Sequence, residues 1–287
     1  MRAENVGLER YKMKQRIITG ACYVAVILSM FLLRQFVDYR LFHLLTYAFL
    51  IIGTYELQRM LKPFTDNYVG IAAIVCSGIA LPSYLIAEYF ILKGMGFAGY
   101  ALIIAIFVSA ECIYSVVKNT EIKKFGINVL HYLYPSVCLL FMVAANELGD
   151  NGFIALLTAF VISPLSDTAA YFTGMAIGGK KLCPKISPKK TWAGAVGGTI
   201  GGAIGGILVY LIFKPTINFP LPVIFFALVG IIASIVNIFG DLFESVIKRR
   251  AGVKDSGKIL PGHGGVLDRI DGTSFVIIAI YFAFLLV

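Results

Sequence analysis

Long apolar segments separated by short polar stretches run through most of the chain. Each of nine near-continuous apolar segments is about 20 residues long, which is the length that an α-helix needs to cross a bilayer. They lie at about 17–33, 41–57, 68–92, 97–117, 127–148, 152–173, 193–213, 220–240 and 268–287. The pattern predicts an all-α, polytopic integral membrane protein with about nine transmembrane helices.

Composition supports this prediction. The chain is 59% hydrophobic and only 14% charged, whereas soluble domains contain about 25% charged residues. The first apolar segment follows a basic stretch, but it is long, meets Arg34 and lacks a small-residue cleavage site, so we interpret it as a retained helix. The five cysteines form no C-x-x-C pair, and neither a disulfide framework nor a zinc site is expected.

The basic residues predict an orientation. With nine spans and a cytoplasmic N-terminus, the only Lys and Arg residues on the outer side are Arg34, Arg40, Lys93 and Lys214, out of 25 in the chain. Because cytoplasmic loops carry the excess of Lys and Arg, this arrangement is favoured. The net charge of +9 is therefore attributed to the inner face and to anion binding. No nucleic-acid partner is expected.

The chain is predicted to divide near residue 150. Residues 1–150 form a scaffold of about five spans with scattered carboxylates such as Glu88 and Glu111, which we interpret as satisfied by neighbours, with proton-pathway roles as the alternative. Residues 151–287 form a catalytic region of about four spans with two polar inner loops, at 174–192 and 241–272. The span at 193–213 carries glycines four residues apart, which predicts close helix packing and leaves a homodimer open.

Three carboxylates are predicted to meet at the cytoplasmic boundary. A span of 20 residues rises about 30 Å, which brings Asp241 to the end of one helix and puts Asp268 and Asp271 in the first turn of the last. A carboxylate in hydrocarbon costs about 2.5–3.5 kcal/mol, so a cation is expected to gather them. Mg²⁺ suits oxygen ligands and phosphate substrates. The alternative is ion pairing with the neighbouring arginines Arg249, Arg250 and Arg269.

Both polar loops offer anion-binding groups. In the second loop, Lys248, Arg249 and Lys254 are assigned to phosphates, and the turn 262–265 lacks side-chain bulk at three positions, so its backbone N–H groups can approach an anion. His263 in that turn is either a phosphate donor or structural. In the first loop, the residues predicted to bind phosphate are Ser187, Lys189, Lys190 and Thr191. The alternative is that its lysines only mark the inner side or attract anionic lipids. Asp167, three residues after Pro164, is predicted to face a cavity.

These motifs resemble the phosphatidate cytidylyltransferase family. Its signature is matched by Ser245-x-x-Lys248-Arg249, by Lys254-Asp255 and by Pro261-x-His263-Gly264-Gly265-x-x-Asp268-Arg269-x-Asp271. Further family elements are Ser166-Asp167-Thr168, residues 186–192 and Gly240-Asp241-Leu242. The resemblance covers about residues 150–287. Ala193 departs from the family pattern, which usually has Glu or Gln after the tryptophan.

The resemblance implies a Mg²⁺-dependent membrane enzyme that converts CTP and phosphatidate into CDP-diacylglycerol and pyrophosphate at the cytoplasmic face of the inner (plasma) membrane. A second cation is left open. The implied catalytic residues are Asp241, Asp268, Asp271 and Lys248, and the three aspartates are the implied metal ligands. The implied substrate-binding residues are Asp167, Ser187, Lys189, Lys190, Thr191, Ser245, Arg249, Lys254, Asp255, His263, Gly264, Gly265 and Arg269.

Two alternatives remain from the sequence. A transporter would also place carboxylates and glycine-rich helices in a membrane, but transporters carry polar groups in both halves at mid-bilayer, whereas here they lie in one half. An enzyme that consumes a CDP-lipid is suggested by Asp268-x-x-Asp271-Gly272, although the remainder of that motif is missing from the apolar residues that follow.

Overall fold

The computed structural model describes residues 2–214 and 221–286. Within these residues the chain forms α-helices and one β-hairpin, together with short 3-10 turns at Tyr39–Leu41 and Lys62–Phe64 and a π-helical segment at Ala87–Ile91. The helices are α1 Arg2–Phe36, α2 Phe42–Leu61, α3 Asn67–Ile86, α4 Gly96–Val117, α5 Ile122–Leu133, α6 Ser136–Asn146, α7 Asn151–Ile177, α8 Trp192–Phe213, α9 Val223–Arg250 and α10 Leu267–Leu285.

Seven helical segments of the described chain are long and apolar enough to cross a membrane. They are Met13–Phe36, Asn67–Ile91, Gly96–Val117, Ile122–Asn146, Asn151–Ile177, Trp192–Phe213 and Val223–Arg250. The two other predicted spans are helices too, but α2 includes His43, Glu56 and Arg59, and α10 begins with charged side chains. The count of nine and the orientation therefore stay predictions. Residues 220 and 287 of two predicted spans lie outside the described residues.

A small sheet modifies the predicted all-α class. The polar stretch 174–192 contains an antiparallel hairpin of β1 Lys181–Cys183 and β2 Ser187–Thr191, in which Lys181 is opposite Thr191. Side chains of a strand alternate between its two faces, and Lys189 is accordingly exposed while Lys190 is partly buried. The hairpin thus places Lys189 and Lys190 on opposite faces of β2.

The helices belong to two compact units that interleave along the chain. The first unit comprises the residues up to Leu32, Leu41–Leu140 and Val253–Asp268. Here α3 contacts α2, α4 and α5, and Ala73, Cys76 and Tyr132 are buried in its core. The polar segment Val253–Asp268 thus belongs to the same unit as most of the N-terminal helices.

Glu88 and Glu111, two isolated carboxylates of this first unit, have hydrogen-bond donors, as our interpretation expected. Glu88 accepts from the backbone N–H groups of Gly94 and Gly96, at 2.9 and 3.0 Å. Glu111 is buried and accepts from three side chains. Its donors are Tyr68 at 2.9 Å, Ser115 at 3.1 Å and Asn128 at 2.7 Å.

The second unit comprises Leu33–Arg40, Phe141–Gly252 and Arg269–Val287. Its helix α8 contacts both α7 and α9. The close packing predicted from the glycines spaced four residues apart in α8 is confirmed. A Cβ atom at Gly202 would lie 2.6 Å from the carbonyl oxygen of Gly230 in α9, and one at Gly201 would collide with Ala169 in α7. The glycine surface that suggested a homodimer is therefore covered within the chain, and the dimer stays an untested prediction.

Candidate functional site

An acidic cluster lies in the second unit. We define it as Asp167 of α7, Asp241 and Glu244 of α9, and Asp271 of α10. Asp241 interacts electrostatically with both Asp167 and Asp271, and Glu244 lies beside Asp271. Three helices from distant parts of the sequence thus bring carboxylates together. Neighbouring negative charges repel, so the arrangement requires cations to stabilise it.

Lys190 of β2 supplies one of these cations. Its Nζ lies 2.6 Å from Oδ2 of Asp241, and the two side chains are 23% and 29% exposed. Ser245, one helical turn along α9, donates to the other oxygen of Asp241 at 3.3 Å. The β-hairpin therefore brings a lysine of the first polar stretch into contact with an acidic residue of α9. Both partners retain access to solvent.

A buried polar network orients Asp167. The amide nitrogen of Asn237 donates to Oδ1 of Asp167 at 2.7 Å, while the amide oxygen of Asn237 accepts from Ser163 at 2.7 Å. Ser163 in turn accepts from Thr273 of α10 at 3.0 Å. Asn237 and Ser163 are buried. Because each buried polar group has a partner, the network ties α7, α9 and α10 together beside the acidic cluster.

Lys248 and Arg249, assigned to phosphates from the sequence, have partners within the second unit. Lys248 lies 3.2 Å from Glu244 on the preceding turn, and the two side chains are only 10% and 0% exposed. Arg249 donates to the backbone carbonyl of Ile186 at 3.3 Å, which joins the end of α9 to the hairpin. Lys248 thus compensates the buried charge of Glu244, and Arg249 remains exposed.

The hydroxyl-bearing residues of β2 occupy different positions. Thr191 is buried and its hydroxyl accepts the backbone N–H of Gly194 at 3.0 Å, which caps the N-terminus of α8. Ser187 is partly buried at the start of β2, and Ala193 is partly buried in the first turn of α8. The hydroxyl of Thr191 is therefore used in capping, whereas Lys189 and Lys190 lie on the strand.

In the first unit, the segment Val253–Asp268 folds around the carboxylate of Asp268. Oδ2 of Asp268 accepts from the backbone N–H groups of Ser256 and Gly265, each at 2.8 Å. The backbone N–H of Asp268 donates to the hydroxyl of Ser256 at 3.2 Å. The N–H of Gly265, one of those expected to approach a phosphate, is thus donated to Asp268. These bonds fix the orientation of the carboxylate.

The glycine-rich turn at residues 262–265 is tightly constrained. Leu260 and Gly264 form an isolated antiparallel bridge, and Gly264 has a φ of +88°, a conformation that favours glycine. A Cβ atom there would lie 2.6 Å from Oδ2 of Asp268. The partly buried ring of His263 lies against Gly20 of α1. The remaining charged residues assigned to substrate in this region are exposed: Lys254, Asp255 and Arg269.

Glu56 is a functional candidate that sequence reasoning did not select. It is 1% exposed and accepts hydrogen bonds from the segment that contains the glycine turn. Asn237 and Glu244 were also passed over. The available signal was the same for all three, since a polar side chain within an apolar helix is costly unless it has a partner or a function. None of them lies in the motifs that carried the resemblance.

The donor set suits Mg²⁺ only in part. Among residues 2–214 and 221–286, no group of three or more His, Cys, Asp and Glu side chains is arranged to hold a metal ion. Asp241 and Asp271 nevertheless present hard oxygen ligands within one cluster. Mg²⁺ is usually held by one or two carboxylates together with substrate phosphates and waters, so the fit depends on phosphates completing the coordination.

The fold and these residues define a class of protein, a polytopic helical membrane protein whose polar residues suit anionic, phosphate-bearing ligands. Comparison with known proteins identifies the family within that class. Residues 14–287 match the Cytidylyltransferase family, and the chain belongs to this family.

Three relatives show how far the similarity extends, and each of them is named phosphatidate cytidylyltransferase. The Bacillus subtilis protein is 34% identical over 272 residues, covering 94% of this chain and 97% of the relative. The Thermotoga maritima protein is 30% identical over 284 residues, covering 95% and 96%. The Haemophilus influenzae protein is 29% identical over 292 residues, covering 95% and 99%. The resemblance therefore extends beyond the C-terminal half to nearly the whole chain.

Proposed function

We propose that this protein transfers CMP from CTP to phosphatidate, giving CDP-diacylglycerol and pyrophosphate. Membership of the Cytidylyltransferase family and the shared name of the full-length relatives support this reaction. The observation that carries the proposal is the contact between Lys190 and Asp241. It joins a lysine suited to a phosphate with an acidic residue suited to a metal ion. A transporter or an enzyme that consumes a CDP-lipid is not favoured by the family.

The chemical step makes one bond and breaks another. A phosphate oxygen of phosphatidate attacks the α-phosphorus of CTP, and the bond from that phosphorus to the oxygen bridging the β-phosphate breaks. Pyrophosphate leaves with the electron pair of that bond. Both reactants are polyanions, so the protein acts mainly by positioning them and by neutralising charge.

Lys190 and Lys189 are proposed to bind the phosphate of phosphatidate together with Ser187. A lysine is a flexible point charge, so Lys190 can turn from Asp241 toward an arriving phosphate while its backbone stays in β2. Thr191 contributes by ending the strand and starting α8. Arg249 and Lys254 are proposed to neutralise the triphosphate of CTP, and Lys248 is proposed to act with them.

Asp241 and Asp271 are proposed to hold Mg²⁺ against the triphosphate, and from the sequence we propose Asp268 as a further ligand, directly or through water. Mg²⁺ bound there would supply charge neutralisation for the triphosphate. Asn237 orients Asp167, which adds negative charge to the same cluster. Ser245 fixes the position of the Asp241 carboxylate through its hydrogen bond.

The membrane arrangement is proposed from the charge pattern. Nine spans with the N-terminus in the cytoplasm put both polar loops on the cytoplasmic side, where CTP is present. A basic inner surface also attracts anionic lipids such as phosphatidate. We therefore propose that the protein lies in the inner (plasma) membrane and that its reaction takes place at the cytoplasmic face.

The test is product formation by the purified protein in detergent. CTP and phosphatidate should yield CDP-diacylglycerol and pyrophosphate in equal amounts when Mg²⁺ is present, and chelation by EDTA should stop the reaction. UTP, ATP and dCTP serve as nucleotide controls. Absence of CDP-diacylglycerol when CTP and phosphatidate are supplied with Mg²⁺ would refute the proposed reaction, whereas full activity in EDTA would refute only the metal assignment.

A further inference from the structure

Glu56 joins α2 to the polar segment Val253–Asp268 of the first unit. Its Oε1 accepts the backbone N–H of Val266 at 3.1 Å, and its Oε2 accepts the backbone N–H of Leu267 at 2.8 Å. The hydroxyl of Ser256 donates to the same Oε2 at 3.3 Å. One buried side chain thus hydrogen-bonds both an early and a late part of a segment that lies about 200 residues later in the sequence.

The segment is shaped to fit this carboxylate. Gly257 and Gly265 pass so close to Glu56 that a Cβ atom at either position would collide with its side chain. Leu267 is the first residue of α10, so the carboxylate also satisfies N–H groups at the N-terminus of that helix, where negative charge is favourable. Glycine at both positions allows the close approach that these hydrogen bonds need.

The same atoms connect Glu56 to Asp268. Ser256 donates its hydroxyl to Glu56, accepts the backbone N–H of Asp268 through that hydroxyl, and donates its own backbone N–H to the Asp268 carboxylate. Gly265, packed on Glu56, makes the second backbone bond to that carboxylate. Two carboxylates therefore share one hydrogen-bonded segment, the first buried and the second partly accessible.

We propose that Glu56 is a positioning residue for the reaction: it clamps the segment Val253–Asp268 and thereby sets the orientation of the Asp268 carboxylate. This inference rests on the proposed function only in assigning Asp268 a part in the reaction. The clamp itself is a property of the substrate-free protein.

Glu56→Gln is the informative variant because it preserves shape and removes one acceptor oxygen. An amide NH₂ group cannot accept from the N–H of Val266 or Leu267, so either orientation of the glutamine puts two donors face to face. Glu111→Gln is the matched control. Glu111 is 2% exposed and lies in the same unit, but its donors are side chains of Tyr68, Ser115 and Asn128 and do not belong to the clamped segment.

Two measurements test the clamp. Hydrogen exchange on the ligand-free protein in detergent should show the amides of Gly265, Val266 and Leu267 exchanging about tenfold faster or more in Glu56→Gln, with no change there in Glu111→Gln. In CMP transfer, Glu56→Gln should lower kcat about 10- to 100-fold while the KM for phosphatidate stays within about twofold. Ser256→Ala should change both readouts in the same direction by less, and it replaces Glu56→Gln if that variant does not fold.

Unchanged exchange of these three amides in Glu56→Gln would overturn the clamp. Equal losses of kcat in Glu56→Gln and Glu111→Gln would overturn its positioning role, because a general loss of stability would then explain both. If the wild-type protein makes no CDP-diacylglycerol, the proposed reaction fails, and the exchange measurement still decides whether Glu56 holds the segment.

Discussion

The two compact units hold their carboxylates by different means. In the first unit, Glu56 and Asp268 accept mainly backbone N–H groups, which cannot leave unless the segment Val253–Asp268 changes its fold. In the second unit, Asp241 is held by the side chains of Lys190 and Ser245. Side chains can change rotamer while the backbone stays in place. The first arrangement therefore fixes the orientation of the carboxylates. The second leaves side chains that can turn from Asp241 to bind a substrate.

This difference matters for a reaction between two polyanions. A lysine that neutralises Asp241 in the absence of substrate prevents repulsion within the acidic cluster, and the same lysine is available when phosphates arrive. A backbone-held carboxylate such as Asp268 needs no rearrangement, which favours a preorganised role. Substitutions in the two kinds of group should therefore differ in the size and nature of their effects.

Removing one carboxylate of the proposed metal site should have the largest effect. Asp241→Asn, Asp268→Asn and Asp271→Asn are each expected to lower CMP transfer about 10²- to 10³-fold, because an amide binds a cation much more weakly than a carboxylate. The measurement is CDP-diacylglycerol formation in detergent at saturating Mg²⁺.

Asp66→Asn is the matched control for these variants. Asp66 also pairs with a lysine, Lys124, at 2.8 Å, but this pair lies in the first unit and has no assigned role. The activity of Asp66→Asn should stay within about twofold of wild type, since exposed ion pairs contribute little. Near-normal turnover in all three variants, Asp241→Asn, Asp268→Asn and Asp271→Asn, would refute the metal assignment.

Lys190→Gln should have the next largest effect. A hydrogen bond to a charged group is worth about 1.5–3 kcal/mol, which corresponds to about 10- to 100-fold in rate. Because Lys190 faces Asp241 whereas Lys189 faces away on the strand, Lys189→Gln should cost less. The measurement is kcat/KM for phosphatidate in both variants. Equal losses would mean that the alternation of β2 does not decide which lysine acts.

Comparing Gly264→Ala with Gly252→Ala separates the backbone strain of a positive φ from a steric clash with Asp268. Gly252 has a φ of +71°, and a Cβ there would have no atom within 4 Å, whereas Gly264 has a φ of +88° and a Cβ there would meet Asp268. Backbone strain alone costs about 1–2 kcal/mol, so thermal unfolding should show both variants destabilised. Only Gly264→Ala should also lower turnover, by about tenfold. Equal turnover in the two variants would show that Asp268 tolerates displacement.

The membrane helices could be predicted because hydrocarbon thickness sets the length of an apolar span, a property that each segment carries by itself. Seven of the predicted segments are confirmed as long, apolar helices. The hairpin was missed because β2 consists of serine, proline, lysines and threonine, without the alternating apolar residues that indicate a strand. Its pairing with β1 depends on a turn and on the start of α8.

The site was predictable where chemistry is concentrated in a motif and unpredictable where it depends on distant contacts. Asp241 and Asp271 were selected from their positions at helix ends. Glu56 and Asn237 stand alone in apolar helices, and their partners lie far away in sequence. A single polar residue of this kind signals that a partner exists, but not which segment of the chain provides it.

Thr191→Ala should have the smallest effect and distinguishes capping from phosphate binding. Its hydroxyl caps α8 by accepting from Gly194, and loss of such a cap costs about 1 kcal/mol. Thermal unfolding should therefore reveal a modest loss of stability that Thr191→Ser restores, while the KM for phosphatidate stays within about twofold in both variants. A tenfold rise of that KM in Thr191→Ala, reversed in Thr191→Ser, would instead assign the hydroxyl to the lipid phosphate. That result would add Thr191, the last residue of β2, to the side chains of the second unit that can turn toward a substrate.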